Sequence, residues 1–242
     1  MYGWPGESGS SKFKTDSQRK ETRIVVHDNI RENVIGLAGK LRSGKDTVAD
    51  YLVEKHGWLK LGMSDPLWDA LRKLDPLVGV DEDARLGEGR AYPLSYVLDN
   101  LEAENNLTPD ESYVEAKKIP EVRRLLQALG TEVGRDMIGP YTWIDIMTGR
   151  AERALQDGAP GVVVTGIRFP NEVRAVGGTL FGAVWWIHRP GGEEEIGGGA
   201  GHSSENSVGA GDADVIIENA GTLEDLYALV ELERSDFLEA GR

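Results

Sequence analysis

The segment Gly39-Lys40-Leu41-Arg42-Ser43-Gly44-Lys45-Asp46-Thr47 is the most informative part of the chain for predicting its architecture. An apolar run, residues 34–38, precedes it, and a helical pattern of apolar residues follows it from Val48. A strand, a glycine-rich turn ending in Gly-Lys and a helix form the setting of a phosphate-binding loop. In such a loop, backbone N–H groups and the positive end of the helix dipole meet the anion. The residues expected to bind a nucleotide here are Lys40, Ser43, Gly44, Lys45, Asp46 and Thr47.

The position after the lysine departs from the usual pattern of such loops. Asp46 stands where Ser or Thr is usual, and Thr47 comes one residue later. The metal ligand for Mg²⁺ is therefore either the Thr47 hydroxyl or Asp46 acting through water. An ordinary tight turn before a helix is the alternative, but the strand, glycines, lysine and helix agree on a phosphate loop with Lys45 as a catalytic residue.

Composition limits the classes of protein to which the chain can belong. Its 242 residues, 40% of them hydrophobic, suffice for one substantial core with a smaller inserted subdomain. No apolar run is long enough to cross a bilayer, the N-terminus lacks a signal-peptide core, and there are no cysteines, so we expect a cytoplasmic protein without a membrane partner. A net charge of −14 argues against a nucleic-acid partner and requires local Arg and Lys residues to meet any anionic substrate.

The order of apolar segments predicts an α/β protein with a mostly parallel sheet between two helical layers. Residues 1–22 read as a flexible tail and residues 23–242 as a single domain, with a short edge strand at 24–26. Residues 75–120 are expected to form an α-helical insertion on the substrate side, from which Arg85 and Arg90 could reach the site unless they are solvated surface. The Gly- and Glu-rich segment at about 189–205 is expected to be a lid that brings Arg189 toward the phosphates, with a short helix opening near 202.

Two further strands end in residues suited to phosphate chemistry. Asp65 follows the strand at 58–62 and should lie on the same rim as Lys45, although it could equally be an N-cap. The buried strand at 161–165 leads to Arg168, whose guanidinium can bind a phosphate in bidentate fashion. Thr165-Gly166 stands where a P-loop protein usually has an acid, so that acid is supplied elsewhere, by Asp46 or Asp65, or magnesium is held less firmly.

The chain resembles the bacteriophage deoxynucleoside monophosphate kinases, a branch of the P-loop nucleoside monophosphate kinase fold, over roughly residues 33–235. One departure is Thr165-Gly166, where the family commonly has Asp. The order and spacing of several segments carry the resemblance: the loop at 39–47, Ser64-Asp65-Pro66-Leu67, the stretch 126–132 followed by Arg135 and Trp143, Arg168-Phe169-Pro170-Asn171-Glu172, residues 202–205 and Asn219-Ala220-Gly221.

This resemblance implies transfer of the ATP γ-phosphoryl group, with Mg²⁺, to a deoxynucleoside 5′-monophosphate for phage DNA synthesis. It implies that the catalytic Arg135 and Arg168 hold the acceptor phosphate and that Asn219 and Gly221 pass near adenine. For Glu172 a first-turn helix carboxylate, and for Asp145 a solvated helix face, are the alternatives. The residues that the resemblance and the strand ends assign to the substrate side are Asp65, Gly130, Thr131, Arg135, Trp143, Asp145, Arg168 and Glu172.

Other readings remain open at the level of sequence. The chain could be a different P-loop kinase for a small metabolite, similar to dephospho-coenzyme-A or shikimate kinases. It could also be a regulatory module that binds a nucleotide and hydrolyses it slowly, although the Asn/Thr-Lys-x-Asp sequence of a GTP switch does not occur. The preferred base and sugar depend on pocket shape, and a homodimer is left open as the oligomeric state.

Overall fold

A computed structural model describes residues 33–79, 89–191 and 207–240. The expected tail at 1–22, the edge strand at 24–26, Arg85 and residues 192–206 of the lid segment lie outside these described residues. The strands are β1 (Val34–Ala38), β2 (Leu59–Gly62), β3 (Leu77–Gly79), β4 (Ala91–Pro93), β5 (Val162–Thr165), β6 (Ala183–His188) and β7 (Val215–Glu218). The α-helices are α1 (Lys45–His56), α2 (Asp65–Leu74), α3 (Leu94–Asn105), α4 (Pro109–Ala116), α5 (Pro120–Gln127), α6 (Thr142–Gln156), α7 (Pro170–Arg174) and α8 (Leu223–Ala240).

Five strands form one parallel sheet in the order β2-β5-β1-β6-β7. The central strand β1 pairs with β5 on one side and with β6 on the other, so that Ile35 lies between Val163 and Ala183. The chain therefore leaves β1 toward one half of the sheet and later returns to the other half. A crevice forms at the carboxyl end of the strand where the order reverses, and ligands of open α/β sheets bind there.

Alternate residues of the central strands face two different helical layers. Val34 and Ala38 of β1 pack in a core that includes Met147 of α6. Ile35 and Leu37, which point the other way, belong to a second core with residues of α1 and α8. Both faces of the sheet are thus covered, which is why its strands are continuous apolar runs rather than alternating ones. The three-layer α/β architecture expected from the sequence is confirmed.

The segment between α2 and α5 has its own small core and contains more than helices. Helices α3 and α4 lie within the helical insertion expected at residues 75–120. Thr108 begins α4 with a capping box in which its N–H donates to Glu111 Oε2 at 2.8 Å. The strands β3 and β4 add an antiparallel pair that was not expected. Three residues are too few to show an alternating pattern, so these strands leave no periodic signal. The buried residues of this core are Trp68, Leu71, Val78, Leu94, Leu98, Ala116 and Val122.

The apolar spacing of residues 119–137 predicts one helix, and in the structure this helix has two parts. It begins as the α-helix α5 and continues as a π-helix over Ala128–Ile138. Its final turn is closed by Gly139, whose N–H donates to the carbonyl of Gly134 at 2.9 Å. A π-helix is wider than an α-helix and commonly marks a functional site. Apolar spacing does not distinguish the two helix types over so short a segment.

Candidate active site

The loop between β1 and α1 has the backbone conformation that a phosphate loop requires. Gly39 (φ 143°) and Gly44 (φ 104°) adopt left-handed conformations, which glycine enters without steric cost. A side chain at Gly39 would collide with the carbonyl of Ile187, and one at Gly44 would lie 2.6 Å from Asn219 Nδ2. Helix α1 begins directly after Gly44 at Lys45. The loop therefore presents its backbone and a helix N-terminus to the same point in space.

Two side chains hold this loop together. Lys45 Nζ donates to the carbonyl oxygens of Gly39 (2.8 Å) and Lys40 (2.5 Å) and lies 3.4 Å from Ser43 Oγ. Asn219 follows β7 and donates from Nδ2 to the carbonyl of Ser43 at 2.9 Å. The lysine amine is thus held against the loop, where an anion bound by the backbone N–H groups would meet it.

A cavity of about 840 Å³ opens beside this loop at the carboxyl ends of β1, β5 and β6. Its volume is in the range of small-ligand sites. Its described lining carries six cationic side chains and one carboxylate, although the whole chain has a net charge of −14. Such a local excess of positive charge suits a ligand with several phosphates. The lining residues are the loop at 39–47, Lys117, residues 165–168, Trp186, Arg189, Val208, Asn219, residues 221–223 and Leu226.

Oxygen donors for a magnesium ion are present next to the loop. Thr47 and Asp46 line the cavity, and the exposed Asp46 carboxylate lies 3.7 Å from Lys60 Nζ. A hydroxyl and a carboxylate that share the ion with substrate phosphates are the kind of ligands Mg²⁺ uses in phosphotransferases. Within the described residues, no three acidic or histidine side chains are grouped closely enough to hold a metal by themselves. The residues present therefore fit an ion that is held largely by the nucleotide.

Asp65 does not line this cavity. Its Oδ2 accepts a hydrogen bond of 2.5 Å from the backbone N–H of Gly62, at the end of β2 and the start of α2. Burial raises the pKa of the Asp65 carboxyl group above its usual range, and the hydrogen bond from Gly62 opposes that rise. The observed contact is the one expected of a residue that fixes a strand-to-helix turn.

Trp143 packs against the π-helix rather than against the phosphate loop. Its indole Nε1 donates to the carbonyl of Gly130 at 3.1 Å, and its ring lies against Gly134, where a Cβ would collide with it. Thr142, next to it, donates to the carbonyl oxygens of Gly134 and Gly139. These bonds join the π-helix and Gly139, which follows it, to the first turn of α6.

Arg135 is held by the segment that follows β5. Its guanidinium stacks on the Phe169 ring with 3.6 Å between Cζ and the ring centroid, and Nη2 donates to Asn171 Oδ1 at 3.1 Å. Glu172 is 7% exposed and accepts from the N–H groups of Arg168 (2.7 Å) and Phe169 (3.0 Å). Arg135 Nη1 lies 3.8 Å from its Oε1.

Burial raises the pKa of Glu172, while the two backbone bonds and the arginines Arg135 and Arg168 oppose that rise. Glu172 also lies in the first turn of the short helix α7, the alternative that the sequence left open. Its carboxylate therefore joins the strand end that carries Arg168 to the π-helix that carries Arg135.

The residues singled out from the sequence fall into two groups in space. One group lines the cavity and consists of Lys40, Ser43, Gly44, Lys45, Asp46, Thr47, Arg168, Arg189, Asn219 and Gly221. The other group lies outside its lining and consists of Asp65, Gly130, Thr131, Arg135, Trp143, Asp145 and Glu172. Asp145 is exposed in the first turn of α6.

Lys117 is a cavity residue that the sequence analysis missed. It directly follows α4, and its Nζ lies 3.6 Å from the centroid of the Tyr113 ring. Arg90, for which solvated surface was the alternative to a place in the site, is exposed and is not part of the lining. The available signal was the pair Lys117-Lys118 directly after the acidic helix α4. The neighbouring sequence does not show which of the two lysines faces the cavity.

The parallel sheet, its strand order and the glycine-lysine loop after β1 define a P-loop nucleotide-binding fold. The family model for deoxynucleotide monophosphate kinase matches residues 99–230, more than half of the chain. The chain belongs to the deoxynucleotide monophosphate kinase family and is a phosphotransferase. The sequence-based interpretation of the family and of the enzyme class is confirmed.

Two phage proteins that bear the name of this family are similar to the chain over most of its length. The chain is 26% identical over 246 residues to the deoxynucleotide monophosphate kinase of Escherichia phage RB69, covering 82% of this chain and 98% of that protein. It is 24% identical over 241 residues to the protein of the same name from Enterobacteria phage T4, covering 82% of this chain and 97% of that protein.

A sugar kinase structure from Janibacter covers 87% of this chain and 98% of its own, with 11% identity and a TM-score of 0.40. None of the helices in the described residues has the length and apolarity needed to span a bilayer.

Proposed function

We propose that this protein transfers the γ-phosphoryl group of ATP to a deoxynucleoside 5′-monophosphate, with release of ADP and the deoxynucleoside diphosphate. The observation that carries the proposal is the shared cavity in which Lys45 of the phosphate loop and Arg168 of the β5 end are both lining residues. Phosphoryl transfer needs mainly positioning of the two substrates and neutralisation of their charge. Lys45 and Arg168 come from different sides of the cavity, so each can bind a different phosphate group.

ATP occupies the side of the cavity next to the phosphate loop. The loop N–H groups and Lys45 bind the β- and γ-phosphates, and the adenine lies near Asn219 and Gly221. Thr47 and Asp46 would hold Mg²⁺, which would supply positive charge to neutralise the phosphates of ATP. Arg189, which lines the same cavity after β6, adds charge at the donor phosphates.

The acceptor monophosphate lies toward Arg168. One of its phosphate oxygens attacks the γ-phosphorus in line, and the bond from that phosphorus to the β–γ bridging oxygen breaks. ADP leaves with the electron pair of that bond. No proton has to be removed, because the attacking group is already an oxyanion at neutral pH. The protein therefore needs no general base, and its contribution is orientation and electrostatic stabilisation.

The nucleoside of the acceptor extends toward the π-helix and α6. Gly130, Thr131 and Trp143 border this region, with Asp145 and Asp65 at its edges. Arg135 contributes positive charge beside Arg168. Glu172 contacts both the backbone of Arg168 and the guanidinium of Arg135, and so fixes the position of one relative to the other. A glutamate that fixes two arginines in this way acts as a positioning residue for the acceptor phosphate.

A panel of acceptors tests this function. The protein is incubated with Mg²⁺ and ATP, and ADP release is followed with dAMP, dGMP, dCMP, dTMP, the corresponding ribonucleotides, dephospho-coenzyme A, shikimate or no acceptor. We expect ADP release that depends on at least one deoxynucleoside monophosphate, together with formation of its diphosphate. ADP release that is the same without an acceptor, or that responds only to dephospho-coenzyme A or shikimate, would contradict the proposal.

A further inference from the structure

We propose that Lys117 is a catalytic residue of this reaction, and that its ammonium binds the γ-phosphoryl group as it passes between the two nucleotides. This inference rests on the proposed function and adds to it a cation supplied by the insertion rather than by the sheet. Lys45 at the start of α1 and Arg168 after β5 both line the cavity, and Lys117 belongs to the same lining.

The position of Lys117 is set by the insertion and not by the phosphate loop. Lys117 directly follows α4, whose Ala116 is fully buried in the insertion's own core. Among the described residues of the lining, Lys117 is the one that comes from the segment between α2 and α5. The described part of the insertion thus contributes one cation to a cavity whose other charges come from the ends of strands and from the loop.

The surroundings of Lys117 favour an anion as its partner. Its ammonium lies over the Tyr113 ring, 3.6 Å from the centroid, and the side chain is half-buried. Among the residues that the structure describes, no carboxylate forms an ion pair with it, whereas its neighbour Lys118 pairs with Glu115 at 2.6 Å. A partly desolvated cation without an ion pair gains more from a phosphate oxygen than a solvated one does.

The charged groups that face Lys117 come from three other elements. Burial lowers its pKa to about 8, and among charged neighbours Asp65 on α2 raises that pKa, Arg168 after β5 lowers it and Asp46 on α1 raises it. Tyr113 on its own helix is also half-buried, and desolvation raises the pKa of its hydroxyl group, so it is neutral near pH 8. Phosphate oxygens in the cavity would add negative charge beside the amine. Binding of the substrates should therefore raise the pKa of Lys117 and draw a proton onto it.

This placement gives Lys117 a role that Lys45 and Arg168 do not fill. Lys45 belongs to the phosphate loop on the donor side and Arg168 lies on the acceptor side, whereas Lys117 reaches the cavity from the insertion. In a loose transition state, negative charge is spread over the equatorial oxygens of the transferring group. A lysine on a flexible stem can follow those oxygens during transfer as a compact point charge.

Three variants test the inference. In Lys117→Met, the aliphatic packing on Tyr113 is retained but the charge is lost, and we expect kcat to fall about 10²-fold with little change in the thermal midpoint. In Lys117→Arg, the charge is restored in a form that does not titrate, so kcat should largely recover. Lys118→Met is the matched control, because that side chain is 68% exposed and pairs with Glu115 at the surface, and it should keep normal kinetics.

The pH dependence separates a catalytic role from a packing role. For the wild type, kcat/KM should fall as the pH rises through about 8, because the free enzyme then loses the ammonium. In Lys117→Arg this falling limb should move to higher pH. Calorimetry in buffers of different ionisation enthalpy gives a readout without turnover: at pH near 8, binding of ADP with a deoxynucleoside monophosphate should take up a proton in the wild type and not in Lys117→Met.

Three results would overturn the inference: wild-type kcat in Lys117→Met, an unchanged basic limb in Lys117→Arg, or equal proton uptake in wild type and Lys117→Met. If Lys117→Met does not fold, Lys117→Arg decides the matter alone through its pH profile. These results are distinct from a failure of the proposed function. In that case the wild type itself would transfer no phosphoryl group to any deoxynucleoside monophosphate.

Discussion

Asn219 reaches the phosphate loop from the far side of β6, and its hydrogen bond to the Ser43 carbonyl fixes the peptide next to Gly44. We expect Asn219→Ala to raise KM for ATP with a smaller effect on KM for the acceptor. A bond of this kind is worth about 0.5–1.5 kcal/mol, which corresponds to a roughly twofold to tenfold change in affinity. Steady-state kinetics with each substrate varied in turn give this measurement.

The matched control for that substitution is Asn33→Ala. Asn33 Nδ2 makes the same type of bond, 2.8 Å to the carbonyl of Pro160, near the amino end of β1 and away from the cavity. This variant should lose a similar amount of stability with an unchanged KM for ATP. If KM for ATP is the same in Asn219→Ala and Asn33→Ala, Asn219 does not support the nucleotide site.

Arg168 and Arg135 should differ in what their removal costs. Arg168 is exposed and lines the cavity, so Arg168→Ala should raise KM for the acceptor and leave the thermal midpoint nearly unchanged. Arg135 compensates the buried Glu172 carboxylate, so Arg135→Ala should lower both acceptor affinity and stability. Kinetics for each substrate and thermal unfolding of both variants test this. If both variants lose ATP affinity and keep normal acceptor kinetics, the donor and acceptor sides are exchanged.

At the scale of elements, the π-helix depends on a glycine that lets α6 come close. A Cβ at Gly134 would overlap the Trp143 indole, which is rigid and hydrogen-bonded to Gly130. We expect Gly134→Ala to lower the free energy of unfolding by ~1–3 kcal/mol and to raise KM for the acceptor. Denaturant unfolding and acceptor kinetics provide the two measurements.

Gly149→Ala in α6 is the control, since a Cβ at Gly149 would meet nothing within 4 Å and the φ of this residue is not positive. Alanine there should stabilise the protein by roughly 0.5–1 kcal/mol, because it removes backbone freedom from the unfolded chain. Destabilisation by both substitutions, with the acceptor KM unchanged in Gly134→Ala, would contradict a role for the Trp143 contact in the acceptor site.

Elements differed in how far the sequence could predict them, and the reason is the range of the interactions that form them. The β1–loop–α1 unit was predictable, because glycines, Lys45 and the flanking apolar residues are adjacent in sequence. The π-helix at 128–138 was not, because it depends on Trp143 packing from a later helix. The β3–β4 pair was also missed, since each of its strands has only three residues and is defined by its partner.

At the scale of the whole molecule, charge and packing act over long sequence distances. The net charge of −14 indicated that phosphates would need local cations, and the described lining of the cavity carries six cationic side chains. Lys117 could not be identified beforehand, because Lys117 and Lys118 differ only in how the insertion packs near the phosphate loop. The same limit applies to the acceptor residues, since seven of the expected residues lie outside the cavity lining and their roles depend on a bound nucleotide.

The proposed function requires the phosphate loop to deliver the γ-phosphoryl group of ATP to a deoxynucleoside monophosphate. The most direct measurement follows label from γ-labelled ATP in the presence of the best acceptor, with wild type and Lys45→Met side by side. We predict that the wild type places one label in the deoxynucleoside diphosphate for each ADP formed. Lys45→Met should be folded but slower by ~10²–10³. Label found only in inorganic phosphate, or transfer by Lys45→Met at the wild-type rate, would contradict this function.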